Sequence, residues 1–179
     1  MANINTLVTQ WSVNVTFLSN INNKCQSRKV RNVDFDSLLN VFENELSTQT
    51  GDLATFVVKF LNKRVPHYNW VGIYMIEGEN LVLRTYSGPR ETEHTKIKVG
   101  DGICGLAAKE ELTVVVPDVS KDSRYIACFP ETKSELVAPI FRDGKVTGEI
   151  DIDSDSVDPF SNNDKHFLDR IINLIGMRL

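Results

Sequence analysis

Apolar positions along this 179-residue chain follow two different periods, and the change falls near Pro66. Ile4, Leu7, Val8, Trp11, Val15 and Leu18 recur every three or four residues, which predicts an amphipathic helix over residues 3–19. Its opposite face carries Asn, Thr, Gln and Ser rather than charge, a face suited to docking on a partner subunit. Residues 22–32 are predicted to form a basic loop. Asp34 is placed to N-cap a helix through Leu38, Leu39, Phe42 and Leu46. Gly51-Asp52 opens a third helix with Leu53, Phe56, Val57, Phe60 and Leu61 on one face, and Pro66 ends it.

Beyond Pro66 the chain breaks into short strands. Residues 70–76 and 80–87 flank Glu77-Gly78-Glu79, a hairpin signal, and residues 95–99 supply a third strand. Gly100-Asp101-Gly102 opens a short helix over 103–109. Residues 114–116 read as a buried strand, followed by an irregular stretch from Pro117 to Thr132. Strands over 135–141 and 145–153 surround Arg142-Asp143-Gly144, and Asp-Gly favours a tight turn. Ser161 caps a last helix carrying Phe167, Leu168, Ile171, Ile172 and Ile175, with Asp164 completing a variant of the capping box. The order predicts an α+β domain, an antiparallel meander with helices on one face.

Composition narrows the setting. The hydrophobic share of 41% and charged share of 25% are those of an ordinary globular protein. No apolar run approaches the roughly 20 residues a membrane helix needs, and residues 1–20 lack the pattern of a secretory signal. An odd set of three cysteines does not suggest a disulfide framework, so a cytoplasmic location is expected. Residues 1–33 carry four basic and no acidic residues. With a total of −4, the rest of the chain stands at −8, which argues against a nucleic-acid surface. The expected division is an N-terminal helical and basic extension over 1–33 and a single domain over 34–179.

Candidate chemistry gathers in the second half. In Gly148-Glu149-Ile150-Asp151-Ile152-Asp153-Ser154 the isoleucines point to one face of a strand and the acids to the other. That acidic face is either solvated or the floor of a pocket roofed by residues 88–95 and 117–132. Like charges on one strand face repel and call for compensation. Cys104 follows a glycine-rich turn at the start of a helix, where backbone amides would stabilise a thiolate. The alternative is a small buried side chain packed beside Gly102 and Gly105. Cys128 lies in a polar irregular stretch between Tyr125 and Pro130, an uncommon place for a structural thiol. Cys25 reads as an incidental thiol in the basic loop. His67, His94 and His166 show no metal-ligand spacing with the cysteines, so no metal is expected.

Six blocks occur in order: Asn69–Tyr74, Gly100–Gly105, Val116–Val119, Tyr125–Cys128, Ser134–Pro139 and Gly148–Ser154. Together they resemble the free methionine-(R)-sulfoxide reductases, single GAF domains, over roughly residues 35–179. The resemblance implies a central antiparallel sheet with helices on one face and a ligand pocket on the other. It also implies reduction of free methionine sulfoxide, part of the defence against oxidative stress. Cys128 would be the nucleophile and Cys104 a subsidiary thiol. Glu135, Asp151 and Asp153 would hold the substrate ammonium and supply a proton, and Trp70 and Tyr74 would wall the pocket. No bound cofactor is implied, and a thioredoxin-like dithiol would return the enzyme to its reduced form. Where many members carry a resolving cysteine this chain has His94, which leaves Cys104, Cys25 or an external thiol for that step. A homodimer assisted by residues 1–33 is expected. The rival readings are a non-catalytic GAF ligand-binding module and a thiol redox sensor.

Overall fold

A computed structural model describes residues 33–179. The helix expected over 3–19, the basic loop and Cys25 lie outside the described residues. Helix α1 (Phe35–Ser47) starts where the Asp34 carboxylate accepts the Ser37 N–H at 3.1 Å. Helix α2 (Leu53–Arg64) starts the same way, with Asp52 accepting the Thr55 N–H at 2.7 Å. Each cap satisfies an N–H that has no partner within its helix.

Strands β1 (Trp70–Glu77), β2 (Asn80–Ser87) and β3 (Lys96–Lys98) precede helix α3 (Gly102–Glu110) and strand β4 (Val114–Val116). Strands β5 (Ser134–Arg142) and β6 (Lys145–Ser154) and helix α4 (Asn162–Ile175) complete the order. The six strands form one antiparallel sheet ordered β3-β2-β1-β6-β5-β4. The β5–β6 hairpin closes with Arg142 opposite Lys145, and its two central residues, Asp143 and Gly144, have φ of 51° and 73°. Left-handed conformations at both central positions are what a two-residue type I′ turn needs.

One face of the sheet presents Val71, Ile73, Leu136, Ala138, Ile140, Ile150 and Ile152, all fully buried against α1, α2 and α4. This is the larger core, and Phe42, Phe60 and Leu168 fill it from the helices. The start of β1 is tied to α4 through Asp164, whose carboxylate lies 2.6 Å from His67 Nε2 and accepts the Tyr68 hydroxyl at 3.1 Å. The same carboxylate accepts the Ser161 N–H and hydroxyl, so the capping box expected there is present. Helix α3 packs on the opposite face, where Ile103, Cys104, Ala107 and Ala108 meet Trp70, Tyr74, Leu81 and Val137. The elements predicted within residues 33–179 all appear, with strand ends shifted by about a residue. Among the described residues no helix is long and apolar enough to cross a membrane.

Candidate active site

Strand register assembles the site. Trp70, Gly72 and Tyr74 of β1 lie opposite Asp153, Asp151 and Glu149 of β6. Glu135 and Val137 of β5 lie opposite Asp153 and Asp151 from the other side. Cross-strand partners share a face, so four carboxyl groups collect beneath α3, away from the large core. They are not solvated. Exposure is 5% for Glu135, 0% for Glu149 and 1% each for Asp151 and Asp153. The solvated-face alternative for the acidic strand therefore falls. Both oxygens of Glu149, Oδ1 of Asp151 and Oδ2 of Asp153 have no hydrogen-bond partner. Burial without partners is costly for a carboxylate, and the proton is retained instead. Burial pushes Asp151 up to about 7, opposed by hydrogen bonds from the Cys104 thiol and the Ile152 N–H. Burial, reinforced by the charge of Asp151, raises Glu135, Glu149 and Asp153 well above the usual carboxyl range.

Helix α3 brings Cys104 down onto this floor. Gly102, with φ of 68°, supplies the left-handed backbone that starts the helix. The Gly100 N–H donates to the Gly105 carbonyl at 2.8 Å, drawing the turn tight against the first helical turn. The buried Cys104 Sγ–H donates to Glu135 Oε1 at 3.7 Å. Helix polarity does not win here. Burial, followed by the charges of Asp151, Glu149 and Glu135, drives the Cys104 thiol well above its ordinary range. Of the two readings open for Cys104, the structure favours the small buried side chain over the stabilised thiolate.

Cys128 is half-buried in the loop between β4 and β5, with its thiol 3.7 Å from the Ile126 carbonyl. Cys104, Cys128 and Glu135 line one narrow cleft with Ile97, Asp101, Gly102, Ile103 and Ile126, and its free volume of about 10 Å³ is small. Burial and then the charges of Asp151, Asp153 and Glu135 push the Cys128 thiol up as well.

Trp70 and Tyr74, expected as pocket walls, are buried on this face but do not line the Cys104–Cys128 cleft; they anchor the roof. The Trp70 indole N–H donates to the Arg90 carbonyl at 3.2 Å, and the Tyr74 hydroxyl donates to the His94 carbonyl at 2.9 Å. Three contributors escaped sequence reasoning. Glu149 was visible on the acidic face, but only its burial separates it from a surface acid. Arg90 reaches Glu131 at 3.3 Å and Asp155 at 3.2 Å, and its guanidinium sits 4.9 Å from the Phe129 ring centre. It clasps the segment before β3 to the Cys128 loop, and no motif announces it. His94 Nε2 lies 3.2 Å from the Ala127 carbonyl. A carbonyl can only accept, so Nε2 carries the proton, and the residue standing at the usual cysteine position links the two roof loops beside Cys128.

The arrangement can hold a cation, store protons and present two thiols to one ligand. Among the described residues, no histidine joins a metal-ligand cluster, but Cys104, Glu135 and Asp151 place ligand atoms within 4.8 Å of one another.

An antiparallel sheet with its main helical layer on one face and a roofed pocket on the other defines a GAF domain, and the GAF domain family matches residues 53–179. GAF domain-containing protein A of Dictyostelium discoideum is 34% identical over 83% of this chain and 94% of its own length. Free methionine-R-sulfoxide reductase of Escherichia coli is 30% identical over 84% of this chain and 87% of its own. The structure of free methionine-R-sulfoxide reductase from Neisseria meningitidis in complex with its substrate superposes with a TM-score of 0.72 at 30% identity. It covers 80% of this chain and 86% of that one. The chain belongs to the free methionine-R-sulfoxide reductase family of GAF-domain proteins.

Proposed function

We propose that this chain reduces free L-methionine (R)-sulfoxide to methionine, with Cys128 as the nucleophile. The observation that carries this reading is a cleft shared by two thiols and Glu135, on a floor with three further buried carboxyl groups, Glu149, Asp151 and Asp153, that have oxygens without partners. A free amino acid brings the missing cation, and its ammonium group makes charge-assisted hydrogen bonds to Asp151, Asp153 and Glu135. Neutralising those charges removes part of what holds the Cys128 thiol protonated. Cys128 Sγ then attacks the sulfoxide sulfur while a carboxyl group protonates the oxygen. The oxygen ends on Cys128 as a sulfenic acid, and methionine leaves as the thioether. Cysteine sulfur is oxidised by the two electrons that the sulfoxide gains. A second thiol condenses with the sulfenic acid, releasing water and leaving a disulfide that a thioredoxin-like dithiol reduces. Cys104 shares the pocket and is our candidate for that second thiol. The proposed setting is a reducing cytoplasm under oxidative stress.

The test is consumption of racemic free methionine sulfoxide by purified protein with dithiothreitol. The expected course stops at about half of the racemate because only one sulfur configuration fits a chiral site. N-acetylmethionine sulfoxide, which lacks the ammonium, is expected to be a very poor substrate. Equal efficiency on both compounds would refute the role given to the acids. The raised thiols favour one rival, a GAF module that binds an amino-acid-like cation without chemistry. Saturable binding of methionine sulfoxide with no product under any thiol reductant would select that rival.

A further inference from the structure

We propose that the pocket is also an inhibitory site for a thiophilic divalent cation of the Zn2+ class, ligated by Cys104 Sγ and carboxylate oxygens of Glu135 and Asp151. Each of the three residues offers one atom, and these atoms lie within 4.8 Å of one another. Zinc–sulfur and zinc–oxygen bonds of about 2.3 Å and 2.1 Å set tetrahedral ligands roughly 3.5 Å apart, so small side-chain rotations close the site. An independent observation points to a cation. Asp151 Oδ1 and both Glu149 oxygens are unpartnered on residues 1% and 0% exposed. Among the described residues, no lysine or arginine forms an ion pair with Glu135, Glu149, Asp151 or Asp153.

Ligand chemistry sets the class of metal. A thiolate selects zinc and softer ions over magnesium or calcium, which prefer all-oxygen sites. Binding displaces the Cys104 thiol proton, so one sulfur–metal bond forms as one sulfur–hydrogen bond breaks and the proton leaves to solvent, with no redox change. Glu135 and Asp151 cannot hold both the metal and a substrate ammonium, so the two ligands exclude each other. That competition rests on the proposed function, whereas metal binding does not.

The experiment titrates the full chain with Co2+ after chelator treatment, in a phosphine reductant free of thiols. The expected result is one cobalt per chain with a thiolate-to-cobalt charge-transfer band that excess Zn2+ removes. Cys104→Ala is expected to abolish the band, and Asp151→Asn to weaken binding at least tenfold. Cys25→Ser leaves the band unchanged. Glu135→Gln is a second carboxylate variant should Asp151→Asn fail to melt cooperatively. No band, a band that survives Cys104→Ala, or a band lost with Cys25→Ser overturns the proposal. In turnover, Zn2+ is expected to raise the KM for methionine sulfoxide several-fold with kcat unchanged. A lowered kcat at unchanged KM places the metal elsewhere and also overturns it. Absence of turnover in metal-free protein counts against the proposed function alone, because the cobalt titration reads the site without activity.

Discussion

Asp151 sits on the pocket floor with one oxygen unpartnered and titrates near about 7, against about 3.9 for an unfolded aspartate. Between those values the folded chain keeps a proton that the unfolded chain has lost. Stability contributed by this group therefore falls as pH rises through the window. Glu135, Glu149 and Asp153 shift in the same direction. Asp164 opposes them: burial raises it, but His67 and Ser161 outweigh burial and hold it low, so its contribution is lost in acid. A difference isolates the site. Asp151→Asn is expected to raise Tm relative to the parent by a margin that grows from about pH 4 to about pH 7 and then levels off. Calorimetry across that range checks it, and a margin independent of pH would contradict the buried-proton account. At the thiols, Cys128→Ser is expected to abolish sulfoxide reduction with the fold intact. Cys104→Ser should cost more with thioredoxin than with a small thiol, because only the first assay requires an internal disulfide. Alternation along the acidic strand was enough to group Asp151 and Asp153 on one face in the sequence. Their burial was not legible, because it depends on α3 and on the two roof loops. The sequence left Cys104 open between a thiolate and a buried side chain for the same reason: a motif shows the helix start near Cys104 but not the carboxyl groups beneath it.

Helix α3 and its glycines decide where Cys104 sits. A Cβ on Gly105 would collide with the Lys98 carbonyl oxygen and stand 2.8 Å from the Gly100 nitrogen. Both are backbone atoms of the turn that opens the helix, so neither can rotate away. Gly105→Ala is expected to cost about 1–3 kcal/mol, the usual range for forcing an atom into a packed site. It should also tilt α3, lifting Cys104 from Glu135. Denaturant unfolding measures the first effect, and a loss of the internal disulfide at normal folded yield reports the second. Gly72 makes a parallel case on β1, where a Cβ would strike the Trp70 ring that lies across it. Elements were the most readable scale of this protein. Apolar periodicity, Asp caps and the Asp143-Gly144 turn are local signals, and the helices and hairpins they imply within residues 33–179 are present. The fastenings between loops were not readable. His94 to Ala127 and Arg90 to Glu131 join residues 33 and 41 positions apart, and only the closed sheet brings them together.

At the scale of the molecule, an acidic body surrounds an acidic pocket, so a cationic group on the ligand is favoured in approach and in binding. Among the described residues, those that build this pocket all belong to the domain that follows residue 33. The large core runs from Leu39 to Ile175, and the site runs from Trp70 to Asp153. The two caps that start α1 and α2, Asp34 and Asp52, lie within the same span. A chain of residues 33–179 is therefore expected to unfold cooperatively and to keep a KM for methionine sulfoxide close to that of the parent. Loss of cooperative unfolding would mean that the core needs residues 1–32. The same truncated chain tests the expectation that the apolar face of residues 3–19 docks on a second copy. Light scattering should give a dimer for the full chain and a monomer for residues 33–179. A truncated chain that is still dimeric, or a full chain already monomeric at micromolar concentration, removes the N-terminal segment from assembly and leaves the acidic pocket as a property of one chain.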